Sequence, residues 1–181
     1  AETVPVREAL GRVLAEDIIS PIDVPSHTNS AMDGYAVRAD DLPAEGVSEF
    51  AVPGTSWAGR PWLKPIEPGQ AVQIMTGGMM PEGADTVVMQ EQVEREADTV
   101  RIGSGHRCGQ NVRRAGEDLA TGQQVFSAGR LLSAADIGVL ASLGLAEARV
   151  YRRLKVAFFS TGDELRAVGE PLGPGEIHDS N

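Results

Sequence analysis

Val6, Leu10, Val13 and Leu14 fall at helical spacing, and Pro5 suits a first turn, so a short amphipathic helix is expected over 5–14. From Glu16 to Gly129 the rhythm changes. Short apolar runs, among them Tyr35–Val37, Ala71–Met75, Thr86–Met89, Val100–Ile102 and Gln124–Phe126, alternate with Gly and Pro, which predicts many short strands. Ser133-Ala134-Ala135-Asp136 resembles a capping box with Asp in place of Glu, and Ile137, Leu140 and Leu143 follow before Gly144, so a helix is predicted there. Two strands are expected after it. Ala146–Arg153 reads as one, and Lys155-Val156-Ala157-Phe158-Phe159 as another, apolar without alternation, as in a parallel sheet covered on both faces. The residues after Phe159 are too few and too rich in Gly and Pro to complete such a sheet.

Composition narrows the class. A chain of 181 residues with 41% hydrophobic content can bury a core. No apolar run approaches the roughly 18 residues of a membrane span, and residues 1–14 lack the apolar stretch of a signal peptide. The single cysteine, Cys108, excludes an internal disulfide framework and fits a reducing compartment, with the cytoplasm as the default. A formal net charge of −10 argues against a nucleic-acid partner.

Several segments carry candidate chemistry. Asn29-Ser30-Ala31-Met32-Asp33-Gly34-Tyr35-Ala36 places an acid at a loop-to-strand junction, with Gly34 permitting close backbone approach. Taken alone, Asp33 reads most simply as an Asx-turn residue bonded to its own backbone. Ser160-Thr161-Gly162-Asp163-Glu164 follows the apolar run and suits either a phosphate-and-magnesium corner or a helix N-cap. Ile74-Met75-Thr76-Gly77-Gly78 runs into a Gly-rich loop whose N–H groups and Thr76 hydroxyl suit an oxyanion, although such a pair of glycines is more often a turn. Asn111–Asp118 sets Arg113 and Arg114 beside Glu117 and Asp118, a cluster that pairs with itself or holds an anion. His27, His106 and His178 lack metal-site spacing, and Cys108 reads as a loop thiol whose pKa His106 and Arg107 would lower. Neither a Gly-x-Ser-x-Gly elbow nor a P-loop is present.

The order of these segments is more specific than any one of them. Asn-Ser-Ala-Met-Asp-Gly-Tyr-Ala at 29–36, Ile-Met-Thr-Gly at 74–77 with Pro-Glu-Gly-Ala-Asp at 81–85, Arg-Arg-Ala-Gly-Glu-Asp at 113–118 and Phe-Ser-Thr-Gly-Asp-Glu-Leu at 159–165 resemble the MoeA-type molybdopterin molybdenumtransferases. Their eukaryotic relatives include the E domain of gephyrin. The resemblance implies Mg²⁺-dependent insertion of molybdenum from molybdate into adenylated molybdopterin, with release of AMP. It implies catalytic roles for Glu164, Asp33, Thr76 and Asp118, and substrate-binding roles for Ser160, Thr161, Gly162, Asp163 and Gly77, with Arg113 and Arg114 able to balance charge. The metal ligands stay unassigned. A gephyrin-like scaffold that binds a peptide is the alternative function, and an acidic Mg²⁺-dependent phosphohydrolase a third.

The resemblance also implies an architecture. The fold class is mainly β with some α: a small linker domain from 1–27 and 119–150, a β-rich domain inserted at 28–118, and from 151–181 the first strand of a truncated α/β domain that binds molybdopterin. It further implies an elongated homodimer with the cleft completed across subunits. On that map the usual N-terminal helix and the Ser-Gly-Gly-rich pterin loop lie outside the chain, which is expected to be inactive alone.

Overall fold

The structure is a computed structural model that describes residues 1–180. It is mostly β, with one α-helix among the described residues. The expected opening helix is absent. Glu2–Pro5 is instead a strand, paired antiparallel with Glu147–Val150, and only Val6–Glu8 turn, as a 3₁₀ segment. The strand pairing wins because the N–H of Val6 is already committed to the carbonyl of Ala146, and Gly11 at φ +68 breaks the helical path before Leu14. The apolar periodicity was still a burial signal: Val6, Ala9 and Leu14 join Ile18, Leu132, Leu140, Leu143, Ala148 and Val150 in one core.

The helix Ala134–Ser142 forms where the sequence places it. Ser133 Oγ accepts from the N–H of Asp136, and the Asp136 carboxylate accepts from the N–H of Ser133, which completes the capping box with the shorter acid. Arg130 adds an ion pair to the same carboxylate at 2.9 Å.

The segment between residues 28 and 118 builds its own cores around a four-stranded sheet in the order Thr55–Ser56, Val72–Ile74, Gly34–Val37, Thr86–Met89. The first pair is parallel and the others antiparallel. Gly34–Val37 is buried throughout because side chains alternate between two packed faces. Tyr35 and Val37 enter a core with Phe50, Val88, Val100 and Ile102, and Ala36 enters another with Ile74, Met80 and Val87. A three-stranded antiparallel sheet, Val47–Ala51, Thr99–Gly103, Val93–Glu96, covers the former.

Gly34 earns its place in the strand by size rather than by conformation. A Cβ built on it would lie 2.1 Å from the carbonyl oxygen of Val88.

The last segment departs from expectation. Ala146–Arg153 shortens to a strand over Glu147–Val150. Lys155–Phe159 is not a strand, and Leu154, Val156, Phe158 and Phe159 are exposed, Phe159 by 87%. A parallel strand has no hydrogen bonds of its own to make, and no described residue pairs with this run. Of the two readings of Ser160–Glu164, the helix N-cap has no helix to cap; a two-residue parallel pairing of Leu165–Arg166 with Ile177–His178 organises that stretch, helped by an Arg166–Glu176 ion pair. No helix among the described residues is long and apolar enough to cross a membrane.

Two outcomes follow from this packing. Gly34→Ala must displace the Val88 backbone, so urea denaturation is expected to show a loss of about 1–3 kcal/mol. Asp136 is held down to about 2, chiefly by the Arg130 hydrogen bond and then by the Ser133 N–H. Its contribution is therefore complete above the ordinary carboxyl value of 3.8 and is lost as pH falls through about 2. In thermal melts, the gap between the native chain and Asp136→Asn should be flat at neutral pH and close only across that acidic window.

Candidate functional site

The site is organised by a two-residue strand, Asn29–Ser30, buried at both positions. On one side it pairs antiparallel with Val112–Arg113. On the other, Ser30 N–H donates to the carbonyl of Gly78 at 3.0 Å and its carbonyl accepts from Gly77 N–H at 2.8 Å, while Asn29 bridges Met79. The turn at 76–79 and the strand at 112–113 thus lie two ladder spacings apart, roughly 10 Å. Ser30 Oγ also donates to the carbonyl of Met32 at 2.5 Å and accepts from its N–H, which fixes the approach to Asp33.

Asp33 does not make the Asx-turn. Its Oδ1 accepts from both the N–H and the hydroxyl of Thr76, each at 2.7 Å, across 43 residues of sequence. Those two bonds, the backbone one first, hold its carboxyl below the ordinary value. Oδ2 carries no protein hydrogen bond among the described residues. An ionised carboxylate therefore stands half-buried beside the exposed Thr76 with one oxygen available to a ligand.

The glycine loop behaves differently from the oxyanion cradle its sequence suggests. Gly77 N–H is committed to Ser30, Gly78 N–H to the carbonyl of Met75 at 2.7 Å, and Thr76 N–H to Asp33. These amides build the site and leave none of the three donors for an anion. Gly78 tolerates no side chain, since a Cβ there would stand 2.8 Å from Met75 O and 2.9 Å from Ser56 O.

Arg113 is self-paired, as the sequence suggested. It donates to Glu117 at 2.5 Å and to Asp118 at 2.6 Å, so its charge is already matched and is not free to balance a ligand. The two acids keep the guanidinium protonated, and Arg113 in turn holds Glu117 below the carboxylate range. Asp118 keeps one oxygen free of protein hydrogen bonds among the described residues, and its N–H anchors to the carbonyl of Val24 at 2.9 Å.

Glu164 and its neighbours stand apart. Thr161, Gly162, Asp163 and Glu164 are exposed and Ser160 is half-buried. The Glu164 carboxylate folds back over Gly162, 2.5 Å from where a Cβ would lie there, and no hydrogen bond or ion pair among the described residues joins it to Asp33, Thr76 or Asp118. The structure thus brings Asp33 to Thr76 and Asp118 to Arg113, links the two pairs through Asn29–Ser30, and leaves residues 160–164 outside that group.

Cys108 reverses its expectation. Asp85, 3.6 Å from the thiol, pushes its pKa up, and the neighbouring cations do not offset it. No three His, Cys, Asp or Glu side chains gather as a metal cage among the described residues. Sequence reading missed Asp23, whose Oδ1 accepts from the N–H of Thr121 at 2.7 Å and its hydroxyl at 2.9 Å, the same device as Asp33 with Thr76. Its partner lies 98 residues away, so no local pattern could announce it.

The family described as the MoeA N-terminal region (domain I and II) matches residues 1–144. The chain belongs to that family. It is 50% identical to the molybdopterin molybdenumtransferase of Haemophilus influenzae over 97% of its own length and 43% of the relative's. The molybdopterin molybdenumtransferase of Nostoc sp. is 43% identical over 99% of this chain and 42% of that protein. The molybdopterin biosynthesis moeA protein of Pyrococcus horikoshii OT3 superposes with a TM-score of 0.87 at 38% identity, across 96% of this chain and 46% of that one. The chain thus spans less than half the length of these relatives.

The Asp33–Thr76 contact can be tested directly. Thr76→Val removes the hydroxyl and keeps the N–H, so the Asp33 pKa, followed by ¹³C NMR titration of the side-chain carboxyl, should rise part of the way to 3.8. An unchanged value would remove the hydroxyl from the account.

Proposed function

We propose that this chain contributes one wall of a molybdopterin molybdenumtransferase active site, which inserts molybdenum from molybdate into adenylated molybdopterin with release of AMP. The observation that carries this reading is the Asp33 carboxylate, pinned through Oδ1 by Thr76 and open at Oδ2, in a chain of the MoeA N-terminal family. A carboxyl held below its usual range is a weak base and a strong anion, so Asp33 keeps charge in place rather than moving a proton.

Mg²⁺ fits this arrangement without a protein cage, because it is commonly bound by one or two carboxylates together with substrate phosphates and water. The unbonded oxygen of Asp33 is the donor that would hold it together with substrate phosphate and water, and the unbonded oxygen of Asp118 offers a second carboxylate on the other arm of the wall. Bound there, the ion would neutralise phosphate charge on the adenylated substrate. Thr76 sets the Asp33 carboxylate in one orientation, and Arg113 does the same for Asp118. Gly77 shapes the wall through its bond to Ser30. Ser160, Thr161, Gly162, Asp163 and Glu164 serve the pterin side, on a segment whose exposed apolar run fits the first strand of a molybdopterin-binding domain.

The same reading divides the chain into a linker domain of 1–27 with 119–150, an inserted domain of 28–118, and the start of the molybdopterin-binding domain from 151–181. The separate cores support it: one draws on residues 6–18 and 132–150, the others on 35–102. A cytoplasmic homodimer, with no nucleic-acid or membrane partner, completes the proposal.

The test replaces the matching portion of the Haemophilus influenzae relative with this sequence and follows AMP release from adenylated molybdopterin on adding molybdate. Asp33→Asn should lower kcat by about a hundredfold or more, whereas the 181-residue chain alone should show no turnover. Unchanged kcat in the Asp33 variant would overturn the role given to that carboxylate.

A further inference from the structure

The Thr76–Gly78 amides are committed internally and Arg113 is matched by two acids, so beyond the Arg114 guanidinium, which makes no bond among the described residues, a further donor for a substrate oxyanion at this wall has to come from a neighbouring element. The turn Trp57-Ala58-Gly59-Arg60 offers one. It is closed by reciprocal backbone bonds, Trp57 N–H to Arg60 O and Arg60 N–H to Trp57 O, both 3.1 Å, with Gly59 at φ +77. It continues the strand Thr55–Ser56, which runs parallel to Val72–Ile74 with Ser56 opposite Ile74, so the turn advances beside Met75, Thr76 and Gly77. Met75 N–H donates to Ser56 O at 3.2 Å, and the Cβ of Ala58 lies 4.0 Å from where a Cβ of Gly77 would stand. The turn therefore borders the residue next to Thr76.

Arg60 is the cation of this turn. Its guanidinium carbon lies 6.0 Å from the ring centroid of Trp57, which is 44% exposed. Among the described residues no carboxylate pairs with it, in contrast to Arg113. At that distance, the outer limit of a cation–π contact, the ring draws the guanidinium toward its face while leaving the in-plane N–H donors unspent, and those donors suit a tetrahedral oxyanion gripped through two oxygens.

We propose that Arg60, in cation–π contact with Trp57, binds a tetrahedral oxyanion at the rim of the Asp33–Thr76 wall. The oxyanion is either molybdate or the phosphate of the adenylated substrate, two sources of the same chemistry. The assignment rests on the proposed molybdenumtransferase reading, and Trp57 acts only by orienting Arg60.

Both tryptophans of the chain, Trp57 and Trp62, lie in this loop, so intrinsic fluorescence reports on it directly. The 181-residue chain is titrated with sodium molybdate and, separately, with AMP. A saturable change is expected with at least one, and the tighter probe identifies the source. Arg60→Gln should weaken that binding about tenfold or more, and Arg60→Lys less, because the ammonium keeps the charge without the fork. Trp57→Phe should retain most of the affinity. No saturable response to either probe, or equal affinity in Arg60→Gln, would overturn the proposal. AMP release by the hybrid enzyme separates the two levels. Loss of turnover in Asp33→Asn with unchanged binding in Arg60→Gln rejects Arg60 and keeps the functional reading. Weakened binding in Arg60→Gln, with no turnover from the hybrid, keeps an oxyanion site and rejects its place in molybdenum insertion.

Discussion

Asn29–Ser30 is hydrogen-bonded on both sides, and the candidate site exists only because of that. Two residues are enough because each has neighbours on either edge: Val112–Arg113 on one, the turn at Gly77–Met79 on the other. Without the central pair, Thr76 and Arg113 would belong to unrelated loops. With it, a turn that follows one strand and a segment that leads out of the β-rich body are fixed in a single wall. Burial strengthens the arrangement, since unpaired backbone groups at Ser30 would cost more than the same groups in water.

That wall spends its donors on its own construction. Thr76 gives both N–H and hydroxyl to Asp33, Gly77 and Gly78 give theirs to backbone carbonyls, and Arg113 is shared between Glu117 and Asp118. What remains facing outward is carboxylate oxygen, suited to a cation or to a ligand that brings one. Two cations without an acid partner border the wall: Arg114, beside Arg113, and Arg60, on the turn beside Gly77. A second Asp–Thr pair, Asp23 with Thr121, ties the chain where it enters and leaves the β-rich body, next to the Val24–Leu119 bridge. One local device thus serves both the connection between the cores and the site.

Legibility in the sequence followed the range of the interactions. The capping box at Ser133 and Asp136 spans three residues and was readable in full; so were the strands Thr86–Met89 and Gln124–Phe126, whose boundaries are set by their own composition and punctuation. The helix expected over 5–14 failed because its periodicity reported burial, while a strand partner more than 140 residues away claimed Glu2–Pro5. Lys155–Phe159 failed for the opposite reason: its composition is that of a buried strand, but a strand is defined by neighbours and none is present among the described residues.

Residue types and their order survive without coordinates, so they were enough for the mainly β character, the family, and Asp33, Thr76, Arg113 and Asp118 as residues to watch. It also signalled that Gly34 sits where backbone must approach backbone, and the carbonyl of Val88 turned out to be what approaches. Which donors are spent and which charges are matched emerged only in the folded chain. The glycine amides were offered by the sequence and taken by Ser30 and Met75; the thiol of Cys108 was offered two cations and met Asp85 instead. Hydrogen bonds and ion pairs are settled at a few ångströms, between groups that sequence distance does not order, and that is why the chemistry of this wall had to be read from the fold.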